Sequence, residues 1–438
     1  MRSSFFTHIL LFFLFVCCVS SRASDGIKIA VITDIHFLDR QLASEGKALS
    51  AYEMATGRNV HDLHAVLDLV LEDLEKEVPD LLLITGDMTN HGERQSHLGF
   101  IEKLRPLQNL GTRILVIPGN HDINIPDAKA YRGDQSVLVE TVSRTDFPKL
   151  YASFGYSDAL KRDNASLSYL AEMNDSVWML CLDTNRYQEH TTTSITSGRI
   201  LPETLDWALD ILNEARQKGI TVLGMMHHGL VEHMPYQASF FPQYLVDEWE
   251  RNADLLADAG LKVVFTGHFH ANDITMRTSS TGNIIYDVET ASLAQYPFPY
   301  RIMTLDDAAL SIDTRFVTAV PGNPGLAEVY KDKLEVMTRR VAERRINGMG
   351  MSMSQEITAS LTALIVQLNL IHVKGNEEPD PAMNRAIRLF AEQMGGDIDM
   401  DSFSFDFPPE DNRVVIRETG ETGETGVTGV TGRVGELQ

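Results

Sequence analysis

Short apolar runs that end at polar residues alternate, along the first two thirds of the chain, with segments in which apolar residues recur every three or four positions. The runs are rich in β-branched residues, which is typical of buried strands. They are Ile27–Thr33, Leu81–Thr85, Ile114–Ile117, Val177–Leu182, Ile220–Met225 and Lys262–Thr266. The periodic segments predict amphipathic helices over Val60–Glu77, Glu203–Lys218 and Val246–Ala259. Strands that alternate with helices indicate an α/β sheet.

The pattern changes in the last third of the chain. Three further runs with tight turns between them predict more antiparallel pairing, at Ile284–Val288, Arg301–Leu305 and Leu310–Val317. We expect a main domain over residues 24–320, because Pro321–Gly325 marks a break. Residues 326–395 are predicted to form a small helical appendage. Residues 396–438 are acidic and then repeat Thr-Gly every third residue, a composition that predicts disorder.

Residues 1–23 have the features of a cleaved secretory signal. Arg2 precedes the apolar run Ile9–Val19, and small residues around Arg22 resemble a signal-peptidase site. The alternative is a membrane anchor, but a spanning helix needs about 20 apolar residues and this run is shorter. We therefore expect export to the periplasm or the extracellular space, without a transmembrane anchor.

Charge and cysteine content exclude several classes of protein. The formal net charge of the chain is −23, and cleavage of the signal would lower it to −25 by removing two arginines. Such an acidic chain is not expected to bind nucleic acid. Cys181 would be the single cysteine left, so we expect neither an intramolecular disulfide nor a cysteine-based zinc site.

Polar side chains follow five of the predicted strands at the point where each strand ends. In open α/β sheets, ligands bind at the carboxyl ends of strands, where loops can bring polar groups together. Residues two apart on an extended segment also point the same way. The candidate ligands at these ends are Asp34, His36, Asp87, Asn120, His227, His268 and His270.

Carboxylate, imidazole and amide ligands favour divalent zinc, manganese or iron, whereas calcium prefers oxygen ligands throughout. Seven candidates exceed what one ion with an open substrate position can use. Two ions about 3.5–4 Å apart are a recurrent arrangement in the hydrolysis of phosphate esters. Asp87 is the candidate bridging ligand, because it lies midway in the series and Gly86 permits a tight turn before it.

The order of these motifs resembles that of the calcineurin-like metallophosphoesterase superfamily, in which DxH, GDxx, GNHD or GNHE, a later His and GHxH follow one another. The resemblance spans roughly residues 27–305 and rests on five motifs together. It implies a four-layer αββα sandwich with a dinuclear site at its rim. It also implies that one metal is held by Asp34, His36 and His270, that Asp87 bridges, and that the other is held by Asn120, His227 and His268.

The resemblance further implies a reaction. A hydroxide shared by the two metals attacks phosphorus, and His121 protonates the leaving group while Asp122 orients His121. Histidine suits this role because its ordinary pKa of about 6.5 lies near operating pH. The expected substrate is a small phosphate monoester or diester, and the sequence leaves the metals and the oligomeric state open.

The motifs of this chain differ from those of two known subfamilies of metallophosphoesterases. Asn90 stands where purple acid phosphatases carry a tyrosine ligand, and the segment after Asp87 lacks the arginine of serine/threonine protein phosphatases. Gly86–Glu93 and Met225–Gly229 are more similar to the branch that contains bacterial cyclic-nucleotide phosphodiesterases. The alternative class is a non-catalytic, metal-stabilised binding protein of the cell envelope. His121 favours the enzyme, because a structural metal site does not need it.

Overall fold

The computed structural model describes residues 26–306, 309–348, 354–378, 380–393, 410–417 and 427–429. The strands, in chain order, are β1 (Ile27–Ile32), β2 (Leu81–Ile84), β3 (Arg113–Val116), β4 (Lys129–Arg132), β5 (Gln135–Leu138), β6 (Lys161–Arg162), β7 (Tyr169–Asn174), β8 (Val177–Leu182), β9 (Thr221–Met226), β10 (Val263–Thr266), β11 (Ile274–Thr278), β12 (Ile284–Glu289), β13 (Pro299–Leu305), β14 (Ala309–Phe316), β15 (Arg413–Arg417) and β16 (Val427–Gly429).

Helices connect these strands and extend beyond them. They are α1 (Lys47–Thr56), α2 (Leu63–Glu77), α3 (Arg94–Asn109), α4 (Phe147–Leu150), α5 (Pro202–Lys218), α6 (Gln237–Phe240), α7 (Trp249–Ala259), α8 (Leu326–Gly348), α9 (Gln355–His372) and α10 (Pro381–Gln393). The strands and helices predicted from periodicity are all present, with ends that differ by a few residues.

The strands form two large sheets and one separate hairpin of β4 and β5. The first sheet has the order β16-β15-β14-β13-β1-β2-β3, and β1, β2 and β3 run parallel. The second has the order β11-β12-β10-β9-β8-β7-β6, with β8, β9, β10 and β12 parallel. The parallel strands at the centre of each sheet therefore end at the same edge, where the candidate ligands follow.

Each sheet is covered by helices on one face. Tyr300 and Arg315, on β13 and β14, donate hydrogen bonds to Asp73 of α2 at 2.7 and 2.8 Å. Helix α5 packs on β9, and α7 packs on β11 and β12. Strands β2, β8 and β10 are buried on both faces, as expected for sheets between layers. This mixed α/β arrangement agrees with the predicted metallophosphoesterase fold.

The C-terminal region differs from the prediction in one respect. Helices α8, α9 and α10 are present as expected, but β15 pairs antiparallel with β14 and so extends the first sheet. The sheet therefore continues past the expected boundary at residue 320, and residues 396–438 are not disordered throughout. Arg413–Arg417 has three consecutive β-branched residues, a strand signal that the Thr-Gly repeat obscures. Residues 1–25, including the expected signal, lie outside the described residues.

Arg301 connects β15 to the centre of the molecule. Its side chain is fully buried and donates hydrogen bonds to the carbonyl oxygens of Glu289 and Asp411 and to Oγ1 of Thr314, at 2.7, 2.6 and 2.8 Å. A buried guanidinium needs such partners to offset the loss of water. The segment before β15 is thus part of the packed interior.

The lengths and composition of the helices bear on whether they could cross a bilayer. Within the described parts of the chain, none has both the length and the apolar character that crossing a membrane requires.

Candidate metal centre

The strand ends bring all seven candidate ligands to one rim of the molecule. Loops after β1, β2 and β3 supply those from the first sheet, and loops after β9 and β10 supply those from the second. Most of these side chains are buried, whereas His270 is 22% exposed. The centre therefore lies at the junction of the two sheets, with an opening on the side of His270.

Three of the ligands form one group. Nε2 of His270 lies 3.1 Å from Oδ1 of Asp34 and 3.5 Å from Nε2 of His36. Nε2 of His36 lies 3.8 Å from Oδ1 of Asp34. Their donor atoms converge within the distances that one ion can span.

A second group lies beside the first. Asp87, His227 and His268 place donor atoms within 4.8 Å of one another. Nε2 of His227 lies 3.5 Å from Oδ2 of Asp87 and 3.2 Å from Oδ1 of Asn120. The pairing of ligands into two groups matches the division that the resemblance implies, although their role as ligands stays a prediction.

Asp87 lies between the two groups. Its Oδ2 atom is 3.7 Å from Nε2 of His36 in one group and 3.5 Å from Nε2 of His227 in the other. These separations are too long for good hydrogen bonds but suit atoms that share an ion. The buried donor set thus fits two divalent cations with Asp87 between them.

Five of the candidate ligands adopt the left-handed backbone region, which non-glycine residues rarely enter. Such strain persists where the surrounding structure enforces it, and it occurs preferentially at functional sites. The residues are Asp34, His36, Asp87, His268 and His270, with φ between 46° and 75°.

Hydrogen bonds from outside the groups fix the orientation of the ligands. Nδ1 of His227 donates to the carbonyl oxygen of Thr85 at 2.9 Å, and Nδ1 of His270 donates to Oε1 of Gln295 at 2.9 Å. Each bond leaves Nε2 free to face an ion. Oδ2 of Asp34 accepts from the hydroxyl of Thr33 at 2.7 Å.

The electrostatics of the centre follow from burial and from close opposite charges. Burial alone would raise the pKa of Asp34, but the adjacent His270 lowers it well below its ordinary value. Burial would likewise lower the pKa of His227, but the charge of Asp87 raises it to about 9. Carboxylates and imidazoles therefore stabilise one another here.

His121 lies beside the ligands and contacts two other basic residues. Its Nε2 atom accepts a hydrogen bond from Arg58 at 3.1 Å, and its Nδ1 atom lies 3.0 Å from Nδ1 of His91. Its backbone N–H donates to Oδ1 of Asp87 at 2.7 Å. Burial, followed by the charge of Arg58, lowers the pKa of His121 well below its ordinary value.

Asp122 holds the loop and does not contact the His121 ring. Its carboxylate accepts hydrogen bonds from the backbone N–H groups of Gly119, Met88 and Thr89 at 2.7, 3.2 and 2.9 Å. The Thr89 hydroxyl donates to it as well, at 2.8 Å. Orientation of His121 by Asp122 stays a prediction, and it would act through the backbone of this loop.

Sequence reasoning missed Arg58. The guanidinium donates to the hydroxyl of Tyr52 at 2.7 Å and to the carbonyl oxygen of Asn90 at 3.0 Å, which places it at the centre. It follows α1, far from any ligand motif, so no local signal marked it. His228, next to the candidate ligand His227, does not join either group, because its two ring nitrogens contact the Thr184 hydroxyl and the Thr196 carbonyl oxygen.

Comparison with known proteins identifies the class. The family model for the calcineurin-like phosphoesterase matches residues 27–272, more than half of the chain, and the chain belongs to this family. It is a metallophosphoesterase, a metal-dependent hydrolase of phosphate esters. No curated protein matches the chain.

Solved structures of similar proteins include a dimetal phosphatase from Danio rerio, with 14% identity and a TM-score of 0.46. That match covers 67% of this chain and 96% of the other. A predicted phosphoesterase from Streptococcus pneumoniae has 12% identity and a TM-score of 0.25, with coverage of 68% and 91%.

Proposed function

We propose that the chain hydrolyses a small phosphate monoester or diester with two divalent ions and with His121 as the general acid. The observation that carries this proposal is the position of Asp87. One oxygen of its carboxylate faces both ligand groups and the other accepts the backbone N–H of His121. The general acid candidate is thus attached to the residue between the two expected ions.

Each group of ligands would hold one ion. Asp34, His36 and His270 would hold the first, Asp87 would bridge, and Asn120, His227 and His268 would hold the second. Bound divalent ions, whether manganese, iron or zinc, supply a water nucleophile at neutral pH and offset the negative charge that develops on phosphate.

The residues around His121 would bind the phosphate and deliver the proton. Arg58 is a planar donor suited to phosphate oxygens, and it already lies at the centre through its bond to His121. When Arg58 turns to the substrate, Nε2 of His121 becomes available to hold the proton for the leaving oxygen. Asp122 holds the loops after β2 and β3 together by accepting hydrogen bonds from the backbone N–H groups of Met88 and Gly119.

Export and substrate class complete the proposal. The signal-like residues 1–23 support a periplasmic or extracellular location. The similarity of Gly86–Glu93 to the branch with bacterial cyclic-nucleotide phosphodiesterases supports a diester as the first substrate class to assay. A panel of nucleotides, cyclic nucleotides, sugar phosphates and phospholipid head groups would identify the natural one.

Replacement of His121 tests the mechanism. We expect His121→Ala to lower kcat for a cyclic nucleotide, whose leaving alkoxide needs a proton, by about 100-fold or more, since general acid catalysis contributes about 10²–10⁴-fold. Metal content, measured by elemental analysis, should be unchanged. His61→Ala, at an exposed position just before α2, is the matched control. Unchanged turnover with both ions bound would contradict the role of His121, and a metal-loaded wild type inactive on every ester would favour the binding-protein alternative.

A further inference from the structure

A second cluster of histidines and carboxylates lies behind the catalytic loops, where the helical appendage meets the main domain. Asp273 precedes β11, His372 is the last residue of α9, and Glu377 follows the turn after that helix. Each offers a donor atom within 4.8 Å of the other two. Asp273 and Glu377 are buried, and the His372 side chain is 12% exposed.

The distances in this cluster suit a cation. Nδ1 of His372 lies 2.5 Å from Oε1 of Glu377 and 3.9 Å from Oδ2 of Asp273. The longer separation exceeds a hydrogen bond, yet it is too short to admit a water between the two atoms. Ligands bound tetrahedrally to zinc at about 2.0–2.1 Å lie about 3.3 Å apart, so shifts of about 1 Å or less would complete the site.

Asp273 is already oriented for this role. Its other oxygen, Oδ1, lies 2.6 Å from Nδ1 of the buried His233. A second residue that fixes a carboxylate in this way is typical of metal sites. His233 itself lies 3.3 Å from Asp287 and 3.5 Å from Glu289, so the cluster continues into the interior.

The buried carboxylates behind this cluster also favour a cation. Asp273, Asp287 and Glu289 are three buried carboxylates around the single imidazole of His233. In the part of the chain that the structure describes, Oε2 of Glu289 has no hydrogen-bond partner. The buried guanidinium of Arg301 interacts electrostatically with Asp273 and Glu289 and offsets part of their negative charge. A buried surplus of negative charge is costly unless a positive ion offsets it.

We propose that Asp273, His372 and Glu377 bind a third divalent cation, of zinc type, that fastens the appendage to the catalytic domain. The site would join the end of α9 to the segment three residues after His270. The His372 ring also packs edge-on against the Phe269 ring, with the two ring centroids 5.4 Å apart. In the sequence, Phe269 stands between the candidate ligands His268 and His270. The ion thereby supports the loop that carries two catalytic ligands, and its binding does not depend on the proposed reaction.

Metal analysis of the full chain tests this site. After dialysis against zinc chloride, Glu377→Gln and His372→Asn should each contain about one zinc ion per chain fewer than the wild type, and they should unfold at a lower temperature. Glu378→Gln, an exposed neighbour, is the matched control and should keep the wild-type zinc content. Variants with native circular dichroism and unchanged zinc content would overturn the proposal.

A measurement on the wild type decides the question if the variants fail to fold. Crystals grown with zinc chloride should show an anomalous peak at the zinc edge between Asp273 and His372, in addition to those at the catalytic centre. Peaks confined to the catalytic centre would overturn the proposal.

Discussion

Asp34, His36, Asp87, His268 and His270 hold left-handed backbone conformations that cost about 1–3 kcal/mol each. The residue types and their positions at strand ends were visible in the sequence, and all seven candidates meet in space. The conformations were not visible, because they arise from contacts between loops that are far apart in the chain. For the same reason Arg58 could be found in the structure alone.

His97 provides a prediction about acid stability. It is fully buried, donates from Nε2 to the carbonyl oxygen of Asp122 at 2.9 Å, and contacts the Tyr151 hydroxyl at 2.8 Å. Burial lowers its pKa from 6.5 to about 4. Below pH 6.5 the unfolded chain therefore binds a proton at His97 that the folded chain does not, so stability falls as pH falls from 6.5 to 4.

We expect the difference in protonation of His97 to lower the free energy of unfolding by about 3 kcal/mol between pH 6.5 and pH 4. Urea unfolding of the wild type and of His97→Asn at several pH values measures it. The variant should be less stable at pH 7.5 but should lose less stability on acidification. Parallel pH dependences for the two proteins would show that His97 is not the group responsible.

At the scale of elements, the loops that follow β2 and β3 approach each other closely at the ends of these strands. A Cβ atom on Gly119 would lie 2.1 Å from both the backbone nitrogen and Oδ1 of Asp87. No real Cβ atom tolerates such a contact, so only glycine lets the loop after β3 reach the residue between the ligand groups.

Gly119→Ala should therefore displace Asp87. We expect it to lower kcat/KM for a phosphodiester by about 100-fold, the scale of a 1 Å misplacement, and to weaken metal binding. Gly325→Ala is the matched control, because no atom lies within 4 Å of a Cβ built there. Steady-state kinetics with elemental analysis measures both effects, and equal activity of the two variants would refute the steric argument.

The elements that the sequence revealed are those with strong apolar periodicity or unbroken β-branched runs. Helix α3 was missed: it contains Pro106 and buries the polar side chains of Ser96 and His97 among its apolar ones. The hairpin of β4 and β5 was missed because β5 is exposed throughout and so carries no hydrophobic alternation. Local pattern fails where packing against distant segments decides the structure.

At the scale of the whole molecule, the C-terminal segment joins the sheet, the appendage and the second sheet. Oδ1 of Asp411 accepts the backbone N–H of Ile274 at 2.7 Å, and Oδ2 accepts that of Asn376 at 2.5 Å. The amino-acid composition gave no sign of this role, because a Thr-Gly repeat such as the one after β15 is typical of disordered tails. Long-range pairing of a short strand cannot be read from its own residues.

Asp411→Ala should destabilise the whole protein. It leaves the buried N–H group of Ile274 and the partly buried N–H group of Asn376 without an acceptor, at a cost of about 2–4 kcal/mol in unfolding free energy. Urea unfolding measures this, with the partly exposed Glu410→Ala as control. A loss no greater than that of the control would mean that the segment contributes little to the folded state.

The pairing of β14 with β15 has a consequence for synthesis and truncation. Residues 413–417 follow β1, β2, β3, β13 and β14 in the chain, so the sheet that begins with β1 acquires this strand only after those strands have been synthesised. A shortened protein that stops near residue 320 would retain every candidate metal ligand but expose the free edge of β14. Unprotected edges of this kind recruit strands from other molecules, so such a fragment should aggregate.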